Sequence, residues 1–150
     1  MKKQLNNQVV CTFSAISENE SFARSLAASF AAQASPTVTQ LADIKCAVSE
    51  AVTNCIVHAY PPGFEGPKFV KMTLQRFDEN FVIITIADKG VGIADVAAAR
   101  EPLFTTDTGG ERSGMGFSIM ESLMDSIRVK SAVGRGTTVT LKIRLGVGEN

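Results

Sequence analysis

Residues 68–93 read "KFVKMTLQRFDENFVIITIADKGVGI". The first ten residues (68–77) alternate apolar and polar, the pattern of a strand with one buried face. Residues 81–87, "FVIITIA", form a more deeply buried strand. The short connection "DEN" (78–80) makes the two a hairpin, so they pair antiparallel. Toward the N-terminus, residues 8–16 read as another strand. Ser17 and Glu20 then have the spacing of a capping box. The helix that follows carries Phe22, Leu26 and Phe30 on one stripe. "SPT" (35–37) breaks it, and Thr37 with Gln40 is a second capping box. The next helix carries Leu41, Ile44, Val48, Val52 and Cys55 on one face and ends before the turn-rich "YPPGFEGP" (60–67). Toward the C-terminus, residues 88–114 form a long segment rich in Gly, Thr and charge, with a short helix near 94–100. Loops of that length inside a compact domain usually carry function. A helix over 116–125 follows, then strands over 126–131 and 137–145 joined through 132–136. This order implies one α+β domain over 1–150: a two-layer α/β sandwich with a mixed, mainly antiparallel sheet and helices on one face.

Composition narrows the functional classes. Fifteen basic and fifteen acidic residues cancel, and no charge block marks a nucleic-acid surface. The longest apolar run is far too short to span a membrane. The start, "MKKQLNNQVV", lacks the apolar core of a signal peptide, so a cytoplasmic location is expected. Cys11, Cys46 and Cys55 have no metal-ligand spacing and sit in apolar patterns, which predicts reduced, buried thiols.

Four stretches carry chemistry. In "EAVTNCIVHAY" (50–60), Glu50, Asn54 and His58 spread over only about 80° of helix surface. A polar edge therefore runs beside the apolar stripe. A carboxamide oxygen at Asn54 suits Mg²⁺, a hard cation, and the Glu50 carboxylate can take a proton from an attacking hydroxyl. A solvated helix edge would show the same pattern. "DKGVGI" (88–93) sets Asp88 at the mouth of the sheet, followed by Gly90 and Gly92, where backbone can approach a flat ligand. Asp88 can accept from an exocyclic amine such as that of adenine. "GGERSGMGF" (109–117) opens a helix with glycines whose free N–H groups suit an anion, with Arg112 near enough for a phosphate. It is neither a P-loop nor a dinucleotide fingerprint, because no Gly-Lys-Ser/Thr follows and no strand precedes. "GRGTTV" (134–139) can place the Thr137 hydroxyl beside Asp88.

In this order, the four resemble the N, G1, G2 and G3 boxes of the GHKL (Bergerat-fold) ATPase superfamily. "NESFAR" (19–24), "SEAVTN" (49–54), "PLFTT" (102–106) and "ERSGMGFSIMESLMD" (111–125) are similar, more narrowly, to the anti-sigma F factors of endospore-forming bacteria, which are serine-protein kinases. That resemblance covers about residues 9–145. It implies ATP and Mg²⁺ as cofactors, with Glu50 as general base for a substrate serine and Asn54 as the metal ligand. Asp88 would hold the adenine amine, and Gly90, Gly92 and Thr137 would complete that pocket. Residues of about 95–113 would form an ATP lid containing Thr105 and Thr106. Arg112, Ser113, Gly114, Met115 and Gly116 would surround the phosphates, with Arg112 counted as catalytic. Arg24 would belong to the surface that holds a sigma factor of the sigma F type. A homodimer and an anti-anti-sigma protein substrate are implied as partners. Asp107 and Thr108 stand where relatives carry Lys-Pro, which makes the lid less positive. Three alternatives remain: a stress-response anti-sigma kinase for another sigma factor, the ATP-binding part of a histidine kinase, and a module that binds ATP without transfer. Against the second, no phosphoacceptor helix pair precedes residue 8, and the single histidine, His58, lies inside the site.

Overall fold

The structure, a computed structural model, describes residues 3–101 and 115–146. Strand β1 (Leu5–Ser14) leads to helix α1 (Glu18–Ala31), extended by a 3-10 turn over Ala32–Ala34. Ser35, in the left-handed conformation, ends that turn. Helix α2 (Val38–Asn54) runs directly into a π-helical turn over Cys55–Ala59. Strands β2 (Phe69–Phe77) and β3 (Phe81–Asp88) form the predicted hairpin across Asp78–Asn80. A short helix α3 (Val96–Ala99), helix α4 (Gly116–Leu123) and strands β4 (Ser126–Ala132) and β5 (Gly136–Arg144) complete the order.

The sheet order is β1-β2-β3-β5-β4. Every pair is antiparallel, where a mixed sheet was expected. Alternation along the strands turns Val70, Met72 and Leu74 of β2, Val82, Ile84 and Ile86 of β3, and Val139, Leu141 and Ile143 of β5 to one face. The buried faces of α1, α2 and α4 close over these side chains in a single core, giving the two-layer α+β sandwich. Asp88 is the next inward position after Ile86. The same period that builds the core therefore drives a carboxylate to its rim.

Two helix starts behave differently. Thr37 caps α2 as predicted: its Oγ1 accepts from Gln40 N at 3.0 Å, and Gln40 Oε1 accepts from Thr37 N at 2.9 Å. Ser17 makes no side-chain cap and lies in the helical region itself. Glu20 turns away from it and accepts from Ser49 Oγ on α2 at 2.5 Å. The predicted stripe of α1 is also displaced. Ala23, Ala27, Phe30 and Ala31 face the core, while Phe22 is 48% exposed and sets its ring edge-on to Phe13 of β1, with centroids 6.0 Å apart. Small alanines let α1 lie close against α2, and that approach pushes the larger Phe22 to the margin. Of the cysteines, only Cys55 is buried. Cys11 is half-buried and Cys46 is exposed on α2, contrary to the expectation for all three.

Candidate functional site

A cavity of about 720 Å³ opens between the end of α2, the π-helical turn, the loop after β3 and the start of α4. That is within the usual range for a small-molecule pocket. Asn54, Asp88, Gly92, Gly116 and Thr137, all expected site residues, line it. His58 lines it too, as do Asp95 and Ala99 from the loop and short helix after β3. Glu50 stands at its edge. A Cβ on Gly116 would lie 3.3 Å from Glu50 Oε1, 3.2 Å from Asn54 Nδ2 and 3.5 Å from Asn54 Oδ1. The carboxylate, the carboxamide and the N-terminus of α4 thus converge on one point. Met115 precedes that terminus, half-buried, without lining the cavity. Thr105, Thr106, Arg112, Ser113, Gly114 and most of the expected lid lie outside the described residues. So do residues 107–110.

Asp88 is 7% exposed and is the one buried charged side chain among the described residues. Its Oδ1 accepts from Gly90 N at 2.9 Å and from Thr137 N at 3.2 Å. The Thr137 contribution comes from its backbone. The hydroxyl expected beside Asp88 instead shares a 2.8 Å bond with Ser131 Oγ. Ser131 also donates to Gly136 O at 3.0 Å and accepts from Ile93 N at 2.7 Å. One small hydroxyl thereby ties the loop after β3 to the turn before β5.

The two glycines after Asp88 differ in use. Gly92 has φ +79, and a Cβ there would meet Ala132 O at 2.2 Å, so this cavity-lining position accepts only glycine. Gly90 does not line the cavity. Its bare Cα faces the π-helical turn, where a Cβ would stand 2.2 Å from Ala59 O. Ala59 O also accepts from Val91 N at 2.9 Å. π-helical turns inside helices recur at functional sites. Here the wider turn carries Cys55, Ala59 and Tyr60 against the loop after β3, an arrangement a regular helical wheel does not anticipate.

Tyr60 completes that clamp and had no signal in the sequence beyond a proline-rich neighbourhood. Its hydroxyl donates to Phe69 O at 2.6 Å and accepts from Lys89 N at 2.9 Å. Burial pushes the phenol pKa up, so the donating proton is retained. Tyr60→Phe removes both bonds and leaves two part-buried backbone groups without this partner. The expected loss of unfolding free energy is about 1–3 kcal/mol, read from urea denaturation. An unchanged midpoint would show that water replaces the hydroxyl at no cost. Cys55, read from the sequence as a core thiol, is 5% exposed and lines the cavity. Burial and then the Asp88 charge hold its pKa well above the ordinary thiol value. Ser131 and Tyr60 were missed: Ser131 sits in no motif, and Tyr60 closes the 50–60 stretch off the polar edge of Glu50, Asn54 and His58.

Arg24, the expected partner-binding residue, lies on α1 away from the cavity. Its Nε is 3.7 Å from Glu20 Oε2 one turn earlier, and its side chain is 40% exposed. Exposed Ile16 and Phe22 lie close to it in the chain. Among the described residues no helix is long and apolar enough to cross a membrane.

Comparison with known proteins agrees with this geometry. The family model of the histidine kinase-like ATPase domain matches residues 13–143. The anti-sigma F factor of Bacillus subtilis (strain 168) is 49% identical over 137 residues, which is 91% of this chain and 92% of that protein. The anti-sigma F factor of Priestia megaterium is 50% identical over 145 residues, 97% of this chain and 95% of that protein. Among solved structures, the RsbU and RsbW domains of a Mycobacterium tuberculosis protein superpose with a TM-score of 0.66 at 20% identity. That match covers 93% of this chain and 33% of the larger one, and it speaks to the fold. A histidine kinase domain from Erythrobacter litoralis superposes with a TM-score of 0.54 at 25% identity over 72% of this chain and 46% of the other. The chain belongs to the histidine kinase-like ATPase family and, within it, to the anti-sigma F factors.

Proposed function

We propose that this protein is an anti-sigma factor that binds and inhibits a sigma factor of the sigma F type, and that it is also an ATP-dependent serine kinase acting on its anti-anti-sigma antagonist. The observation that carries the kinase reading is the meeting of Glu50 and Asn54 at Gly116, beside a cavity whose far wall holds Asp88. The residues suit ATP. Asp88 offers a buried acceptor for the adenine amine, and its backbone partners keep it in place. Gly92 and Thr137 wall the same end of the cavity. The bare start of α4 at Gly116 presents N–H groups and a positive helix end to phosphate. Asn54 offers an amide oxygen to Mg²⁺, which supplies charge neutralisation at the phosphates. Arg112, Ser113, Gly114, Thr105 and Thr106 are assigned to the phosphate end from sequence alone.

In transfer, Glu50 accepts the proton of the attacking serine hydroxyl, and the cavity wall excludes water from the line of attack. A homodimer, and action in the cytoplasm, belong to the same reading. The test is incubation with labelled ATP, Mg²⁺ and the protein encoded beside this one. Label on a serine of that neighbour is expected. Label on His58 of the chain itself, with none on the neighbour, would make it a histidine kinase instead.

Arg24 should serve sigma-factor capture. It has no part in the core, and its ion pair with Glu20 one turn away is part-exposed, of the kind worth about 0–1 kcal/mol. Arginine is favoured at interfaces because its guanidinium pairs with carboxylates in two-pronged fashion. Arg24→Ala or Arg24→Glu should weaken sigma-factor binding by more than about 1 kcal/mol. ATP affinity and the unfolding midpoint should stay near wild type, because Glu20 keeps its bond from Ser49. Calorimetry with the sigma factor, beside an ATP titration, checks both. Equal sigma-factor binding would remove Arg24 from the interface.

A further inference from the structure

Three hydrogen bonds meet at Ser131 Oγ, and one arrangement of protons satisfies them all. Ile93 N can only donate, so Ser131 accepts there, at 2.7 Å. Gly136 O can only accept, so the single Ser131 proton goes to it, at 3.0 Å. The 2.8 Å bond to Thr137 Oγ1 must then use the Thr137 proton. A hydroxyl whose proton is committed in this way has only lone pairs left, and these only accept. Thr137 lines the cavity, and its N lies 3.2 Å from Asp88 Oδ1. Ser131, on β4, does not line the cavity. A carboxylate accepts only, so Asp88 and Thr137 both present acceptors to a ligand.

We propose that Ser131 is a positioning residue for nucleobase selection: by holding the Thr137 proton, it keeps the Thr137 hydroxyl an acceptor and sets this end of the pocket against a base that carries a carbonyl where adenine carries its amine. The inference rests on the ATP-site reading above and goes beyond it by assigning rejection of the wrong base to a residue outside the cavity. An amine brings two N–H groups to these acceptors, whereas a carbonyl facing them is left unpaired. Without the Ser131 oxygen, the Thr137 hydroxyl is free to rotate and donate to that carbonyl. Loss of Ser131 therefore favours the wrong base through Thr137, a route that general damage to the fold does not follow.

The test is calorimetric titration of ATP and of inosine triphosphate, which has the carbonyl, into wild type, Ser131→Ala, Thr137→Val and the double variant. Wild type should prefer ATP. Ser131→Ala should shift the affinity ratio toward inosine triphosphate by about three- to tenfold, the scale of one hydrogen bond. Ile93 N and Gly136 O also lose a partner in that variant, but a loss common to both nucleotides cancels in the ratio. In the Thr137→Val background the same Ser131 change should leave the ratio where it stands, because no hydroxyl remains to reorient. Ser131→Cys, similar in shape but a weak acceptor, gives the same reading if the alanine variant does not fold. An unchanged ratio in the Ser131 variants, or an equal shift with and without the Thr137 hydroxyl, would make Ser131 a structural tie and overturn the inference alone. If wild type itself does not distinguish the two nucleotides, the Asp88–amine assignment fails and takes this inference with it.

Discussion

Glu50→Gln should slow phosphoryl transfer to the substrate serine by about 10²–10⁴-fold, the usual contribution of a positioned general base. The change is nearly isosteric. The side chain keeps its length and its place near the start of α4, where Glu50 Oε1 lies 3.3 Å from the point a Gly116 Cβ would occupy. What disappears is proton affinity: a carboxamide cannot take the serine proton as the new P–O bond forms. ATP affinity and sigma-factor affinity should remain near wild type, since Glu50 lies at the cavity's edge and the carboxamide keeps its shape. Single-turnover transfer beside an ATP titration separates the two effects. Normal transfer with weakened ATP binding would instead make Glu50 a residue of the metal or phosphate site.

Asp88→Ala should nearly abolish nucleotide recognition. The buried amine of a bound adenine would lack its acceptor, at a cost of about 1–3 kcal/mol for the unpaired group. The protein's own donors are stranded as well: Gly90 N and Thr137 N both lose the oxygen they share. Some loss of stability is therefore expected in the alanine variant. Asp88→Asn serves as the control, because its amide oxygen can still accept from those backbone groups while the carboxylate charge and second acceptor are gone. Both variants should bind a fluorescent ATP analogue more weakly, with alanine the weaker. Affinity equal to wild type in the asparagine variant would move the adenine pocket elsewhere in the cavity.

Much of the architecture was legible because it is local. The hairpin at 68–87 follows from alternation and a three-residue connection, and the two strands pair antiparallel from Phe77–Phe81 onward. The Thr37–Gln40 cap and the short helix after Asp95 follow from side chains bonding to backbone within one turn, and the helix opening at Gly116 follows from its own apolar period. The order of the four glycine- and acid-bearing stretches placed Asn54, Asp88, Gly92, Gly116 and Thr137 in one site, and the cavity gathers all five. The failures share one cause. Ser17 and Glu20 have capping-box spacing, yet Glu20 accepts from Ser49 across the α1–α2 contact. Phe22 has the spacing of a core stripe, yet the alanine face of α1 packs closer.

By itself, then, the sequence determined the elements, their order and which stretches would meet at the site, since backbone preference and hydrophobic period are properties of neighbours in the chain. The partners of each polar atom were decided only by the tertiary structure. Thr137 gives Asp88 its backbone N–H and gives Ser131 its hydroxyl. Tyr60 bridges the starts of two chain segments through Phe69 O and Lys89 N, and Gly90 is needed to clear Ala59 rather than to meet a ligand. Hydrogen bonds and close approaches of this kind depend on ångström-scale register between sheet, loop and the π-helical turn. That register is set by the packing of α2 on the sheet, which no single window of the chain contains.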